Sequence, residues 1–360
     1  MFPEWTWLVG LLIGAAIGSF LNVVIYRTPR NLSLNDPKFS FCPKCKHRLT
    51  VLDLFPLFSW LFLKGKCRHC GAPVAARYFI VELINGSIWA WLWHQYFVAT
   101  WDPATGIAYA LAAATLVAII FIDLEFYIIP DTVNGFLALV GIGYNAYLYI
   151  AGRPEATTWG MPSALAGWLT GIAVLWGIAL FGRVLFKKDS MGHGDIKMAR
   201  GIGAVLFPTV AVMGFGLAVL LGAVLGVAQV MFRRQPDAGA EEDVDEGDVV
   251  PESIPSLLRC GLGYVLGIDL IGQYIPSLYR RWFGEEARLE FEEIEDFEAD
   301  RTMIPFGPYL ALGAILAASF RAPLMDGVQA YLNWAGIGKK MEQSLESPSL
   351  QIREPGSTTP

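Results

Sequence analysis

Long apolar stretches separated by polar or Pro- and Gly-rich joints dominate the hydrophobic pattern of this chain. A helix needs roughly 20 largely apolar residues to cross the hydrocarbon core of a bilayer. Five stretches carry almost no charge and approach or exceed this length: residues 5–26, 79–99, 106–122, 133–151 and 162–186. The pattern therefore predicts five membrane-spanning helices.

A further uncharged run covers residues 201–232, which is too long for one upright helix and short for two. Pro208 lies where a break is expected. We therefore predict a short helix, a turn and a second helix in this run, and a last helix at residues 304–320. The predicted fold is an all-α polytopic membrane protein, a bundle of about eight transmembrane helices.

The composition supports lipid as the main solvent. Of the 360 residues, 54% are hydrophobic and only 17% are charged, and the mean hydropathy is +0.44. These values argue against a soluble enzyme. The net charge of −6 arises locally, because residues 233–302 hold 18 acidic and 7 basic residues. This acidic insert offers no basic footprint for a nucleic acid, so we predict no nucleic-acid partner.

The basic residues of the loops predict the orientation in the membrane. Residues 27–78 contain ten Lys or Arg residues and two Asp residues, an excess that indicates a cytoplasmic loop. Alternation from there places residues 123–132, residues 187–200 and the acidic insert in the cytoplasm, and the tail 321–360 outside. Within the insert, the apolar residues 254–279 are predicted to form an interfacial helix, because an extra span would reverse the orientation of everything that follows.

Four cysteines of the basic loop have the spacing of a metal site. Two C-x-x-C pairs with 21 residues between them contain Cys42, Cys45, Cys67 and Cys70. The spacing resembles a zinc ribbon, and four thiolates would close a tetrahedral shell around a structural zinc ion. Disulfides are the alternative, but the predicted side of the membrane is reducing. His47 and His69 are expected to lie outside the ligand shell, and Cys260 is expected to fill an apolar position.

Two aspartates lie at the ends of apolar runs. Asp123 ends the run ATLVAIIFID, and Asp195 lies in MGHGDIKMA, just before the next uncharged run. Two carboxyl groups within a few ångströms cannot easily both ionise, so one keeps a proton while the other acts as a base, as in aspartic proteases. Gly192 and Gly194 are expected to let the backbone turn tightly and to leave room for an extended substrate strand.

Acidic residues close to Asp123 have simpler interpretations. Asp131 follows Pro130 and is predicted to cap the fourth span. Glu125 is interpreted as a solvated charge at the membrane interface. Asp123 alone would allow the same interpretation, and a transporter would also place paired acids in a bundle, although near its midplane.

Six blocks of sequence, in order along the chain, resemble the bacterial type IV prepilin leader peptidases, which are membrane aspartic proteases related to archaeal preflagellin peptidases. The blocks are GSFLNVVIYRTPR (18–30), the two C-x-x-C pairs, ARYFIVELINGS (76–87), IDLEFYIIPD (122–131), GHGDIKM (192–198) and IPFGPYLALGA (304–314). The resemblance implies that Asp123 and Asp195 are the catalytic pair and that the four cysteines form a cytoplasmic zinc-binding loop.

This resemblance divides the chain into six segments. They are a first transmembrane helix (1–26), the four-cysteine loop (27–78), a transmembrane catalytic core (79–232), the acidic insert (233–302), a last transmembrane helix (303–320) and a tail (321–360). The insert is interpreted as a tolerated insertion, and docking of a pilus or secretion-system assembly protein is the alternative.

The resemblance also implies an activity and a location. The family removes the short basic leader of prepilins and pseudopilins after a Gly at the cytoplasmic boundary of the bacterial inner membrane. Members with the cysteine loop generally also methylate the new N-terminal amine with S-adenosylmethionine, so we expect both activities. No cofactor-binding residue is assigned, although Glu82 is one candidate and is equally well explained as an interface charge. A peptidase without methyltransferase activity, and a non-enzymatic zinc-stapled scaffold or transporter, are the alternatives.

Overall fold

The computed structural model describes residues 2–42, 44–187, 191–232, 253–284 and 305–334. Its regular structure is almost entirely helical. The acidic flanks of the insert and most of the tail lie outside the described residues. A second compact unit begins at Phe320, and the described part of that unit contains one helix.

The described helices follow one another along the chain with short connections. They are α1 (Trp7–Arg27), α2 (Phe58–Phe62), α3 (Ala76–Trp93), α4 (Pro103–Phe126), α5 (Asp131–Ile150), α6 (Ser163–Phe186), α7 (His193–Phe232), α8 (Ile254–Val265), α9 (Ile268–Gly272), α10 (Pro276–Phe283), α11 (Gly307–Ser319) and α12 (Arg321–Trp334). A π-helical segment, His94–Ala99, extends α3. Two short antiparallel strands, β1 (Thr157–Thr158) and β2 (Met161–Pro162), connect α5 to α6.

Five helices, α1, α4, α5, α6 and α7, are long and apolar enough to cross a membrane, as expected of a multi-pass membrane protein. The prediction of a mostly helical chain with several such helices is confirmed. The count of eight is not confirmed. The 18 residues of α3 include Arg77 and Glu82, and α11 has 13 residues, which is short for a complete crossing.

The predicted break in the run 201–232 lies at Phe207, whose φ of 62° and ψ of 170° are not helical. At the start of α7, Gly194 lies against Ile129. Beyond the break, Gly222 approaches Phe306. Ile129 and Phe306 both belong to the end of the bundle that carries the candidate site described below. The two halves of α7 therefore run in opposite directions, as the predicted short helix, turn and second helix require.

Small residues let α1 and α3 pack closely as an antiparallel pair, as the spacing of glycines in α1 predicts. A Cβ at Gly18 would lie 2.8 Å from the Cα atom of Glu82. Next to this contact, the Asn85 side chain donates a hydrogen bond of 2.6 Å to the carbonyl oxygen of Gly14. The close approach places the Glu82 side chain at the interface of the two helices.

The apolar part of the insert folds as three short helices, α8, α9 and α10, and not as the single helix predicted. Gly267, with a φ of 67°, ends α8, and Pro276 begins α10. Trp168 and Trp176 of α6 donate hydrogen bonds of 3.2 Å to backbone carbonyl oxygens of this unit. None of the three helices is long enough to cross a membrane. Cys260 is buried in α8, as predicted.

A buried ion pair attaches the insert to the bundle. The Arg200 guanidinium donates two hydrogen bonds of 2.8 Å to the Asp269 carboxylate and one of 3.0 Å to the carbonyl oxygen of Tyr264. Both charged side chains are almost completely buried. The sequence analysis treated Arg200 as one of the charges of a cytoplasmic loop, which is wrong, because it lies inside α7 and faces α9.

The predicted role of Asp131 is also wrong. Asp131 is the first residue of α5, Pro130 occupies the cap position, and no side chain caps this helix end. The Asp131 carboxylate instead accepts hydrogen bonds of 2.9 Å from Lys197 of α7. The acidic side chain after Pro130 therefore connects two helices.

Removal of one partner of the buried ion pair should destabilise the fold strongly. Asp269→Ala leaves the Arg200 charge buried without its carboxylate, which costs about 3 kcal/mol of unfolding free energy. Glu155→Ala is the matched control, because its 3.4 Å pair with Arg153 is solvent-exposed and worth less than about 1 kcal/mol. Denaturant unfolding in detergent micelles compares the two variants, and equal losses would contradict this account.

Candidate functional site

Asp123 lies in the last turn of α4, where Tyr127 ends the helix in a left-handed conformation. Its side chain is only 5% exposed. The backbone N–H of Gly307, at the start of α11, donates a hydrogen bond to the carboxylate. A Cβ at position 307 would collide with Asp123 Oδ2. Glycine at this position therefore lets α11 approach the carboxylate closely.

Asp195 lies in the first turn of α7 and is half-buried. The backbone N–H of Gly192 donates a hydrogen bond to its carboxylate. Neither Gly192 nor Gly194 has a positive φ. Gly194 is helical and packs against Ile129, since a Cβ there would lie 3.2 Å from the Ile129 side chain. The described role of Gly194 is thus close packing, and room for a substrate strand stays a prediction.

The structure brings the two aspartates together. The Ile129 side chain lies between Gly194, next to Asp195, and Gly307, next to Asp123. The two carboxyl groups are close enough to interact electrostatically. One helix end and one helix start therefore supply two carboxyl groups to a single site at one end of the bundle. Such a pair is suited to combined general acid and general base chemistry.

The insert contacts the segment that carries Asp195. The Tyr264 hydroxyl lies 2.7 Å from Nδ1 of His193, two residues before Asp195. Lys197, two residues after it, lies 5.5 Å from the centre of the Tyr264 ring. The sequence analysis missed these contacts. One available signal was the lone acid Asp269 within the apolar residues of the insert, since such a charge in an apolar segment needs a partner.

The four predicted metal ligands converge. One sulfur from each cysteine of the loop lies within 4.8 Å of the others, and these residues are Cys42, Cys45, Cys67 and Cys70. All four are free thiols. A backbone N–H of Cys45 is the main cause that lowers the pKa of the Cys42 thiol to about 7, so Cys42 is readily deprotonated. The cluster can bind a metal ion.

The two C-x-x-C pairs have the same local backbone structure. Lys46 donates a backbone hydrogen bond of 2.9 Å to the carbonyl oxygen of Cys42, and Gly71 donates one of 2.9 Å to that of Cys67. Lys46 and Gly71 are both left-handed, with φ values of 56° and 66°. Each pair thus forms the tight knuckle that places two sulfurs side by side.

The remaining predicted residues of this region lie close to the cluster or to the first helices. The rings of His47 and His69 lie face to face, 3.5 Å apart, outside the group of four sulfurs. Glu125 is exposed and forms an ion pair with Arg77. Glu82 is buried, and its carboxylate accepts a hydrogen bond of 2.7 Å from the backbone N–H of Leu57. Glu82 is therefore not the solvated interface charge of the simpler interpretation.

Two family models match this chain. The model described as "Bacterial Peptidase A24 N-terminal domain" matches residues 12–96, and the model described as "Type IV leader peptidase family" matches residues 110–227. The first range includes the four cysteines. The second includes both aspartates. No solved structure matches this chain.

Several curated proteins named "Prepilin leader peptidase/N-methyltransferase" are similar to this chain. The protein of Myxococcus xanthus is 30% identical over 317 residues, which cover 84% of this chain and 87% of the relative. The protein of Aeromonas hydrophila is 32% identical over 246 residues, 62% of this chain and 80% of the relative. The protein of Dichelobacter nodosus is 29% identical over 259 residues, 62% of this chain and 86% of the relative.

Proposed function

This chain belongs to the type IV leader peptidase family, and we propose that it is a membrane aspartic endopeptidase that removes the leader of prepilins or pseudopilins. The observation that carries the proposal is the convergence of Asp123 and Asp195 in one site at one end of the bundle. The proposed location is the bacterial inner membrane, with this end of the bundle facing the cytoplasm.

The two proposed catalytic residues divide the chemistry of hydrolysis. The ionised carboxyl group takes a proton from a water molecule, which attacks the scissile carbonyl carbon. The protonated carboxyl group donates a hydrogen bond to the carbonyl oxygen, and a proton then passes to the amine as the peptide bond breaks. The N–H groups of Gly307 and Gly192 orient the carboxyl groups of Asp123 and Asp195, respectively.

The position of the site fits a substrate with a polar leader and an apolar stem. Asp123 ends an apolar helix and Asp195 begins another. A peptide bond presented at this level lies at the boundary of the membrane. Cleavage there requires an extended segment next to the helix of the substrate, and the helix need not unwind within lipid.

We further propose that the protein methylates the new N-terminal amine with S-adenosylmethionine. The relatives above carry this second activity in their names. The residues that would hold the methyl donor are considered below. A peptidase without this second activity is the alternative that the methylation experiment distinguishes.

We propose zinc as the metal of the four-cysteine cluster. A tetrahedral site with Zn–S bonds of about 2.3 Å separates neighbouring sulfurs by about 3.8 Å. The sulfurs of Cys42 and Cys70 are 3.9 Å apart, so the cluster is close to the dimensions of a zinc site. Four thiolates leave no position for a reacting water, and the zinc would hold the two knuckles together.

Loss of either carboxyl group should abolish leader removal. Asp123→Asn and Asp195→Asn each remove a proton donor or acceptor, and we expect cleavage of a purified prepilin to fall by about 10³-fold or more. Asp102→Asn is the matched control at the opposite end of α4, where the amide oxygen can still accept the 2.6 Å hydrogen bond of Thr105. Normal cleavage by either Asn variant would contradict the proposal.

The zinc content is a second test. Elemental analysis of protein purified under reducing conditions should give about one zinc ion per chain. The double variant Cys42→Ser, Cys70→Ser should lose the metal and unfold at a lower temperature. Cys260→Ala, which changes a buried cysteine outside the cluster, should keep it. Wild-type protein with negligible zinc would contradict this assignment.

The methylation test uses a prepilin co-expressed with the wild-type enzyme. Mass spectrometry of the mature N-terminus should show one added methyl group, and this group should be absent when Asp123→Asn prevents formation of the free amine. A fully cleaved product without the methyl group would favour the peptidase without methyltransferase activity.

A further inference from the structure

A cavity of about 520 Å³ lies between the four-cysteine loop and helices α1 and α3. This volume is within the range of roughly 300–1,000 Å³ that is typical of small-molecule sites. Cys42 and Cys67 contribute to one wall. Glu125, which lies in the same helical turn as Asp123, contributes to another. The cavity therefore reaches from the metal cluster to the helix end that carries one of the proposed catalytic residues.

A buried carboxylate without a cationic partner faces this cavity. Glu82 lines it and is 8% exposed. Its printed partner is the backbone N–H of Leu57, and among the described residues no Lys or Arg forms an ion pair with it. Burial of an unpaired carboxylate is costly. A positively charged ligand would offset this cost.

Two buried polar atoms on the cavity wall also lack a hydrogen-bond partner. They are Oδ1 of Asn22, an acceptor, and Nε of Arg77, a donor. The amide group of Asn22 is already oriented, because its nitrogen donates a hydrogen bond of 3.0 Å to the carbonyl oxygen of Tyr78. Buried polar atoms are normally satisfied. The wall thus presents one acceptor, one donor and one negative charge to a polar ligand.

Aromatic rings form another part of the wall. Trp60 and Phe79 are stacked, with ring centres 5.2 Å apart, and Tyr26 lines the same space. The Trp60 indole is held by a hydrogen bond of 3.3 Å to the carbonyl oxygen of Val74. Aromatic faces favour both cations and flat heteroaromatic rings.

We propose that this cavity binds the methyl donor S-adenosylmethionine, with Glu82 as the counter-charge of its cationic part and Asn22 and Arg77 as hydrogen-bonding partners. The donor combines positive charge, a flat heteroaromatic ring and polar groups, which are the features that this wall matches. The inference rests on the proposed methyltransferase activity and names the site at which that activity takes its donor.

The transfer itself balances without a further reactant. The nitrogen lone pair of the new N-terminal amine forms a bond to the methyl carbon, while the electrons of the carbon–sulfur bond return to sulfur. The positive charge passes from the sulfonium to the product, a secondary ammonium. The amine is released by the proposed cleavage beside Asp123, and Glu125 of the same helical turn borders the cavity.

Donor binding to the full-length protein in detergent micelles tests the site without relying on catalysis. Isothermal titration with S-adenosylmethionine should show an affinity at least about tenfold weaker for Glu82→Gln, which keeps the size of the side chain and removes its charge. Glu155→Gln, which removes an exposed carboxylate from the loop after α5, should bind as the wild type does. Wild-type affinity of Glu82→Gln would overturn the assignment, and leader cleavage by each preparation shows that it is folded.

Photochemical cross-linking of radiolabelled S-adenosylmethionine to the wild-type protein gives a second test that needs no variant. The label should map to residues 19–30 or 53–82. Intact methylation with the label confined to α5, α6 or α7 would overturn the cavity assignment alone. Leader cleavage with neither donor binding nor methylation would overturn the proposed methyltransferase activity together with its site.

Discussion

The placement of two carboxyl groups in one partly buried site is the constraint on which the rest of this structure depends. A buried acid is costly unless it is hydrogen-bonded or shares a proton. The fold meets this requirement with backbone donors, because the N–H groups of Gly307 and Gly192 reach the carboxylates of Asp123 and Asp195. A side chain at position 307 would collide with Asp123. Three separate parts of the chain, α4, α7 and α11, are therefore fixed relative to one another by the site.

Charged contacts attach the accessory elements to this core. The Arg200–Asp269 pair joins the three insert helices to α7, and the Tyr264 hydroxyl reaches His193, close to Asp195. On the other side, the Arg77–Glu125 pair joins α3 to the end of α4. The insert and the cysteine loop thus each contact a helix that carries one of the aspartates. The chain arranges two proposed reactions, cleavage and methyl transfer, around the same helix ends.

Much of this arrangement follows from local sequence. Apolar runs near the thickness of a bilayer predicted most of the helices, Pro208 predicted the break that lies at Phe207, and the two C-x-x-C pairs predicted the cluster of sulfurs. These features depend on spacing within a short segment. The convergence of Asp123 and Asp195 followed from their positions at the ends of apolar runs, which places them at one membrane level.

Features that depend on tertiary contacts were not predictable in this way. Asp131 has the local sequence of a helix cap but pairs with Lys197, which is 66 positions away. Arg200 has the composition of a loop charge but is buried against Asp269. The cavity combines residues from α1, the cysteine loop, α3 and α4, and no periodicity or spacing relates these segments before the chain folds.

The dependence of cleavage on pH, measured with purified enzyme and a single prepilin substrate, tests the shared-proton site most directly. Because one carboxyl group must be ionised and its neighbour protonated, the rate should rise and then fall as the pH increases, and the two midpoints should belong to the pair and not to either residue alone. A rate that reaches a plateau and stays there at high pH would show that no protonated acid is required, and would contradict the account.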